Sequence, residues 1–187
     1  MAQSNAYDIS TAQWSNYSGF KPLRTDRPEI RLLRLEKGPD AKSLRYVMCH
    51  ADLSSSPKYS ALSDSWGAPV PDDRLRRIFI HREPVAVRPT LSLFLEIMAS
   101  QTLGIDLWID ALCINQGDVK ERDRQISMMG EIYKVAQLVY VWLGPGDDDT
   151  NYAMEYIKDS PPRTRFDQGI FSICAEKLLK ASYWTRR

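Results

Sequence analysis

Two stretches of this sequence gather side chains whose types and spacing could do chemistry. In YSALSDSWG, residues 59–67, a strand-forming apolar run leads straight into Ser63, Asp64, Trp66 and Gly67. In LWIDALCINQGDVKERDRQ, residues 107–125, Asp110 closes an apolar run. Asn115, Gln116, Glu121, Arg122 and Gln125 follow within about four helical turns of chain. A carboxylate on a strand tip, amides in a loop and the start of a helix together can hold a polar ligand such as a ribose or a phosphate. Ligands of open α/β sheets bind at the carboxyl ends of the strands, where both stretches place their polar residues. The same residues also have structural uses. Ser63 and Asp64 can cap a turn while Trp66 fills core, and Asp110 can accept loop N–H groups. Glu121 can complete a capping box with Asp118, and Arg122 can pair with a carboxylate.

Other chemistries find little to build on. GPGDDDT lacks the Lys-Ser/Thr ending of a phosphate loop and reads as a turn followed by a helix start, its three aspartates complementing the helix dipole. Only His50 and His81 occur, without HExxH spacing, so no metal site is expected. GxSxG is absent. Cys49, Cys113 and Cys174 form no CxxC pair, and Cys113 sits among apolar neighbours as a small core residue. Lys+Arg 25 against Asp+Glu 24 leaves a formal charge of +1, which gives no electrostatic ground for nucleic-acid or membrane-surface binding. The aromatics are embedded in apolar strands rather than interleaved with basic residues, which also argues against stacking on single-stranded nucleic acid. No secretory leader and no membrane span are legible, so a cytoplasmic protein is expected.

The elements that must position these residues follow from hydrophobic periodicity. Residues 1–28 have no period and read as an arm draped over a domain spanning 29–187. Apolar runs at 30–35, 44–49 and 59–63 read as strands. Ile78, Ile80, Val85 and Val87 alternate on either side of HREP, the pattern of a hairpin. Pro89 opens a helix with Leu91, Phe94, Leu95 and Met98 on its buried face. A strand at 107–109, a helix over 119–135 with Val119, Ile126, Met129 and Ile132 or Tyr133 buried, and a second buried strand at 138–143 form a βαβ unit. Further helices are expected at 151–158 and 171–180. The fold class is α/β: a mostly parallel sheet flanked by helices, with an added antiparallel β-hairpin.

The two polar stretches, continued by ISMMGEIYKVAQLVYVWLG, resemble the fungal heterokaryon-incompatibility (HET) domain over roughly residues 29–187. The family more often has an aromatic where Asp64 stands. The resemblance implies a role in programmed cell death after fusion of unlike fungal cells, a form of innate immunity. HET domains are similar in turn to TIR domains, whose flavodoxin-like fold supports NAD+ cleavage in several members. Within this chain's own residues Asp110 and Glu121, from the second polar stretch, are the catalytic candidates. Ser63, Asp64, Trp66, Gly67, Asn115, Gln116 and Arg122 are the substrate-binding ones, with NAD+ as substrate and no bound cofactor or metal. The TIR-type catalytic glutamate falls beyond Arg187, so a truncated domain with little turnover is expected. The alternative is a non-enzymatic module that assembles with itself, as a homo-oligomer, or with a receptor-type partner.

Overall fold

The computed structural model describes residues 17–36, 44–64, 71–101 and 104–159. The strands are β1 (Glu29–Glu36), β2 (Arg45–Asp52), β3 (Tyr59–Asp64), β4 (Arg76–Ile80), β5 (Glu83–Val87), β6 (Asp106–Ile109) and β7 (Leu138–Trp142). The helices are α1 (Pro89–Gln101), α2 (Asp110–Cys113), α3 (Val119–Ser127), α4 (Met129–Val135) and α5 (Asp148–Asp159). The chain divides into two compact units, one of residues 1–62 and 69–140 and one of residues 63–68 and 141–187.

All seven strands belong to one sheet, in the order β5-β4-β2-β1-β6-β3-β7. The α/β class read from the sequence is therefore present, as is the added hairpin, with Ile78 opposite Val85 and Ile80 opposite Glu83. The sheet is mixed. β3 runs parallel to β6 with Ala61 beside Trp108 and Leu62 beside Ile109, and β2 runs parallel to β4. β1 is antiparallel to both its neighbours, pairing Leu32 with Cys49 and Leu33 with Leu107. The N–H of Gln137 bonds the carbonyl of Tyr59, so β7 and β3 start side by side.

Position in this order explains the sequence of each strand. Ile30, Leu32 and Leu33 of β1 and Leu107, Trp108 and Ile109 of β6 are buried, as strands covered on both faces require. The hairpin turn puts His81 and Arg82 at φ 51° and 71°, the left-handed geometry that matches strand twist. His81 is fixed there twice: its N–H bonds the carbonyl of Tyr46, and its Nε2 accepts from the N–H of Met48. Helix α1 buries Leu91, Phe94, Leu95 and Met98, the four positions its period indicates, and lies against β4.

Three expectations are corrected. The strand at 138–143 is not buried: Leu138 is 50 % exposed and Val139 37 %, because β7 is the last strand in the sheet order. An apolar run alone does not distinguish an interior strand from an edge. The helix expected over 119–135 is two, broken at Met128, where the Ser127 hydroxyl donates to the Arg124 carbonyl and competes with the helical ladder. Its buried stripe is also reassigned. Ile132 is buried as expected, but Val119 and Ile126 are 56 % and 52 % exposed. Gln125 takes the inward position instead.

In the second unit, α5 starts at the expected acidic run. Asp147 caps it: its carboxylate accepts from the N–H and hydroxyl of Thr150, while the Thr150 hydroxyl accepts from the Asp147 N–H. Asp148 and Asp149 occupy the first turn, where the helix dipole favours negative charge. Gly144, at φ 101°, supplies a backbone conformation that a side chain resists. The helix expected at 171–180 lies outside the described residues.

Candidate functional site

The segment from β6 to α3 carries most of the chemistry-bearing residues. β6 ends at Ile109, and Asp110 opens the single-turn helix α2 at the carboxyl end of the parallel β3–β6 pair. One carboxylate oxygen of Asp110 accepts the N–H of Ala111 at 2.7 Å, which holds the side chain close to its own backbone. The backbone carbonyl of Asp110 accepts from the N–H of Ile114 and from Nε2 of Gln116 at 3.1 Å. Gln116 thus folds back under the strand end it follows. Asn115 closes the next turn, its Oδ1 accepting from the N–H of Gly117 and its carbonyl from the N–H of Asp118. Asp118 then caps α3, accepting from the N–H groups of Lys120 and Glu121.

Glu121 does not return the bond that a capping box would make to the Asp118 N–H. Its Oε1 accepts the N–H of Asn115 at 2.8 Å and Nη1 of Arg31 at 2.6 Å, and its Oε2 accepts Nη2 of Arg31 at 2.8 Å. Arg31 lies in the middle of β1 and is 0 % exposed. Its remaining donors reach the carbonyl of Cys113 at 3.1 Å and, through Nε and Nη2, the carbonyl of Lys21 at 3.2 and 2.7 Å. The five guanidinium donors therefore make five hydrogen bonds. The plane also lies over the Phe20 ring, 4.9 Å from its centroid. A buried cation is tolerable only with a bidentate anion and a full set of acceptors, and Arg31 has both.

The neighbouring residues of α3 extend the arrangement. Arg124 donates to the carbonyls of Arg24 and Arg27 at 2.8 and 2.6 Å, and buried Gln125 donates to the carbonyl of Glu29 at 2.9 Å. Glu121, Arg124 and Gln125 stand at i, i+3 and i+4, one face of the helix. That face is polar because what it covers is a row of carbonyls in the segment 17–28 and the start of β1, which need donors rather than methyl groups. This is the physical reason Val119 and Ile126 are left outward.

Of the residues singled out in the sequence, Asp110, Asn115, Gln116 and Glu121 are brought together by these bonds. Arg122 is not among them: it pairs with the adjacent Asp123 at 3.6 Å on the helix surface. Ser63 and Asp64 are the last residues of β3, Ser63 half-buried and Asp64 buried, and belong to the second unit. Trp66 and Gly67 lie outside the described residues. Arg31, which organises the segment, is the residue that sequence reasoning passed over. Its signal was a charged residue inside the apolar run EIRLLRLE, where an unpaired cation would be costly.

Cys113 behaves as a core residue. Its Sγ accepts from the N–H of Ile109 and contacts the carbonyl of Leu107, and complete burial pushes the thiol up to about 12. A thiol so far above neutrality supplies no thiolate nucleophile. Among the described residues no group of three or more His, Cys, Asp or Glu side chains could hold a metal ion, and no helix is long and apolar enough to cross a membrane.

Residues 59–186, which include both polar stretches, match the family model described as heterokaryon incompatibility protein (HET). The chain belongs to this family. The HET domain is also 28 % identical over 171 residues to heterokaryon incompatibility protein 6, OR allele, of Neurospora crassa. That alignment covers 83 % of this chain and 25 % of the relative, so the chain spans about a quarter of that protein's length. No solved structure matches the HET domain.

Proposed function

We propose that this HET domain acts in fungal heterokaryon incompatibility as a cell-death effector, and that its Asp110 edge binds a nucleotide-type ligand, with NAD+ the leading candidate. The observation that carries the reading is the placement of Asp110. A carboxylate tethered by the Ala111 N–H sits where two parallel strands end, with the side-chain amide of Gln116 bonded to the same residue's carbonyl. A carboxylate in that position can accept the hydroxyls of a ribose. If the ligand is NAD+, the chemistry is hydrolysis of the N-glycosidic bond: nicotinamide departs with the bonding electron pair, the ribose passes through an oxocarbenium-like state that the carboxylate stabilises, and water supplies the new C–O bond.

Glu121 is not the group that meets substrate in this reading. Both Glu121 oxygens are committed to Arg31 and to the Asn115 N–H, so Glu121 serves by orienting the loop. Arg122, paired with Asp123, takes no part in that orientation. The likeness to TIR enzymes gives NAD+ its place at the head of the candidates.

Titration with NAD+ and with ADP-ribose, followed by thermal unfolding, tests the reading. A ligand at ten times its dissociation constant stabilises the folded state by about 1.4 kcal/mol. Asp110→Asn keeps the oxygen that accepts from Ala111 and should fold normally while losing that gain. The absence of a shift at millimolar ADP-ribose would count against the nucleotide reading. A second reading, a non-enzymatic assembly module, is favoured by one observation: among the described residues β7 is the last strand of the sheet, with Leu138 and Val139 exposed and no charged residue in LVYVW. Under that reading the scattering mass rises with concentration and neither ligand changes the melting temperature.

A further inference from the structure

We propose that Arg31 is the positioning residue that couples the segment 17–28 to the 110–118 loop, so that the loop holds its ligand-binding shape only while the segment is docked. The inference rests on the reading of that loop as the binding edge. Arg31 bonds both parts. On one side it takes the Lys21 carbonyl through two donors and stacks on Phe20. On the other it takes the Cys113 carbonyl and, through Glu121, the Asn115 N–H. Arg124 holds the next turn of the segment by the Arg24 and Arg27 carbonyls, one helical turn from Glu121 on the same face of α3.

The physical logic is that of a fully subscribed fork. A guanidinium that is 0 % exposed has no water at hand to replace a lost protein acceptor. If the segment lifts, two of the five donors lose the Lys21 carbonyl together, and the group must admit water or turn. Turning breaks the bidentate geometry with Glu121. Oε1 of Glu121 is shared between Arg31 and the Asn115 N–H, so the loop amide feels the change directly. The segment and the loop are more than eighty residues apart in sequence and meet at this plane of atoms.

Two amides report on the two sides: Arg24 N–H, bonded to Oε2 of Glu29 at 2.7 Å, and Asn115 N–H, bonded to Oε1 of Glu121. Hydrogen exchange of the full chain, with residue resolution, is measured for the parent, Arg124→Gln and Glu121→Gln. Arg124→Gln removes holds on the segment and touches no loop atom. The coupling is supported if it raises exchange at Arg24 and at Asn115 together, tenfold or more, with Ile78 and Ile80 of the hairpin unchanged. Faster exchange at Arg24 with Asn115 within twofold of the parent overturns it, as does a uniform rise at all four amides, the mark of general destabilisation. If Glu121→Gln fails to fold, Arg124→Gln carries the test alone. ADP-ribose affinity is read on the same proteins, and a fivefold loss in Arg124→Gln extends the coupling to binding. Coupled exchange with no ADP-ribose binding by the parent retains Arg31 as the link and discards the ligand reading.

Discussion

The buried Arg31–Glu121 pair permits a quantitative test of the architecture. Neutralising Glu121 as Gln leaves a guanidinium with no anion in a site that is 0 % exposed. The amide oxygen can still accept one bond, but the charge is uncompensated, a change that costs about 3–5 kcal/mol for a buried pair. Arg31→Met strands the Glu121 carboxylate, 11 % exposed, and removes the donors of the Cys113 and Lys21 carbonyls, so a loss of about 4–5 kcal/mol is expected. The double variant Arg31→Met/Glu121→Met buries no charge. What it forfeits is the two carbonyl partners and the Asn115 N–H bond, about 2–4 kcal/mol together. The singles would sum to about 8 kcal/mol, so the cycle should be non-additive by about 4–6 kcal/mol. Urea unfolding measures it: with a slope of about 2 kcal/mol per molar, each single variant moves the midpoint down by about 2 M, and the double by less than the two combined. Singles that cost under about 1 kcal/mol, or a double that costs their full sum, would refute the reasoning. Either result would mean that water or another group already compensates each charge.

Three further outcomes are expected. Folding holds the Cys113 thiol protonated, raised by burial from 9.0 to about 12, and raises Tyr59 to about 12 by the same cause with Glu131 adding to it. A raised value stabilises the fold fully below the unfolded value and is lost as pH climbs. Stability should therefore be flat between about pH 6 and 8.5 and fall through pH 9–12, with Cys113 alone accounting for about 4 kcal/mol of the loss; chemical denaturation against pH, repeated on Cys113→Ala, checks this. Arg82→Gly should stabilise the protein by about 0.5–1 kcal/mol, because φ 71° strains a side chain and suits glycine, and should raise the melting temperature by about 1–4 °C. Asp118→Ala removes the acceptor of the Lys120 and Glu121 N–H groups and should cost about 1 kcal/mol, read as a shift of the urea midpoint with an unchanged slope.

Sequence and structure divide the determination of this protein along a physical line. Features that depend on neighbours within one turn or one strand were legible in the sequence. The buried face of α1, the hairpin with Ile78 and Val85 opposed, the Asp118 cap and the position of Asp110 at a strand end all follow from spacing. The motifs of the second half likewise sufficed to place the chain in its family. What the sequence did not determine depends on contacts between distant residues. LWI and LVYVW are equally apolar, yet β6 is interior and β7 terminal, because strand order is set by the whole sheet and not by either strand. α3 turns Gln125 inward and Ile126 outward against its own hydrophobic pattern, because the surface it covers is lined with the carbonyls of residues ninety or more positions earlier. Glu121 fits a capping box by spacing but pairs with Arg31, and only the folded chain brings that cation within 2.6 Å. The candidate site follows the same division: the residue types were written locally, and the partner each side chain takes was set by burying Arg31, a cation whose every donor the tertiary structure had to satisfy.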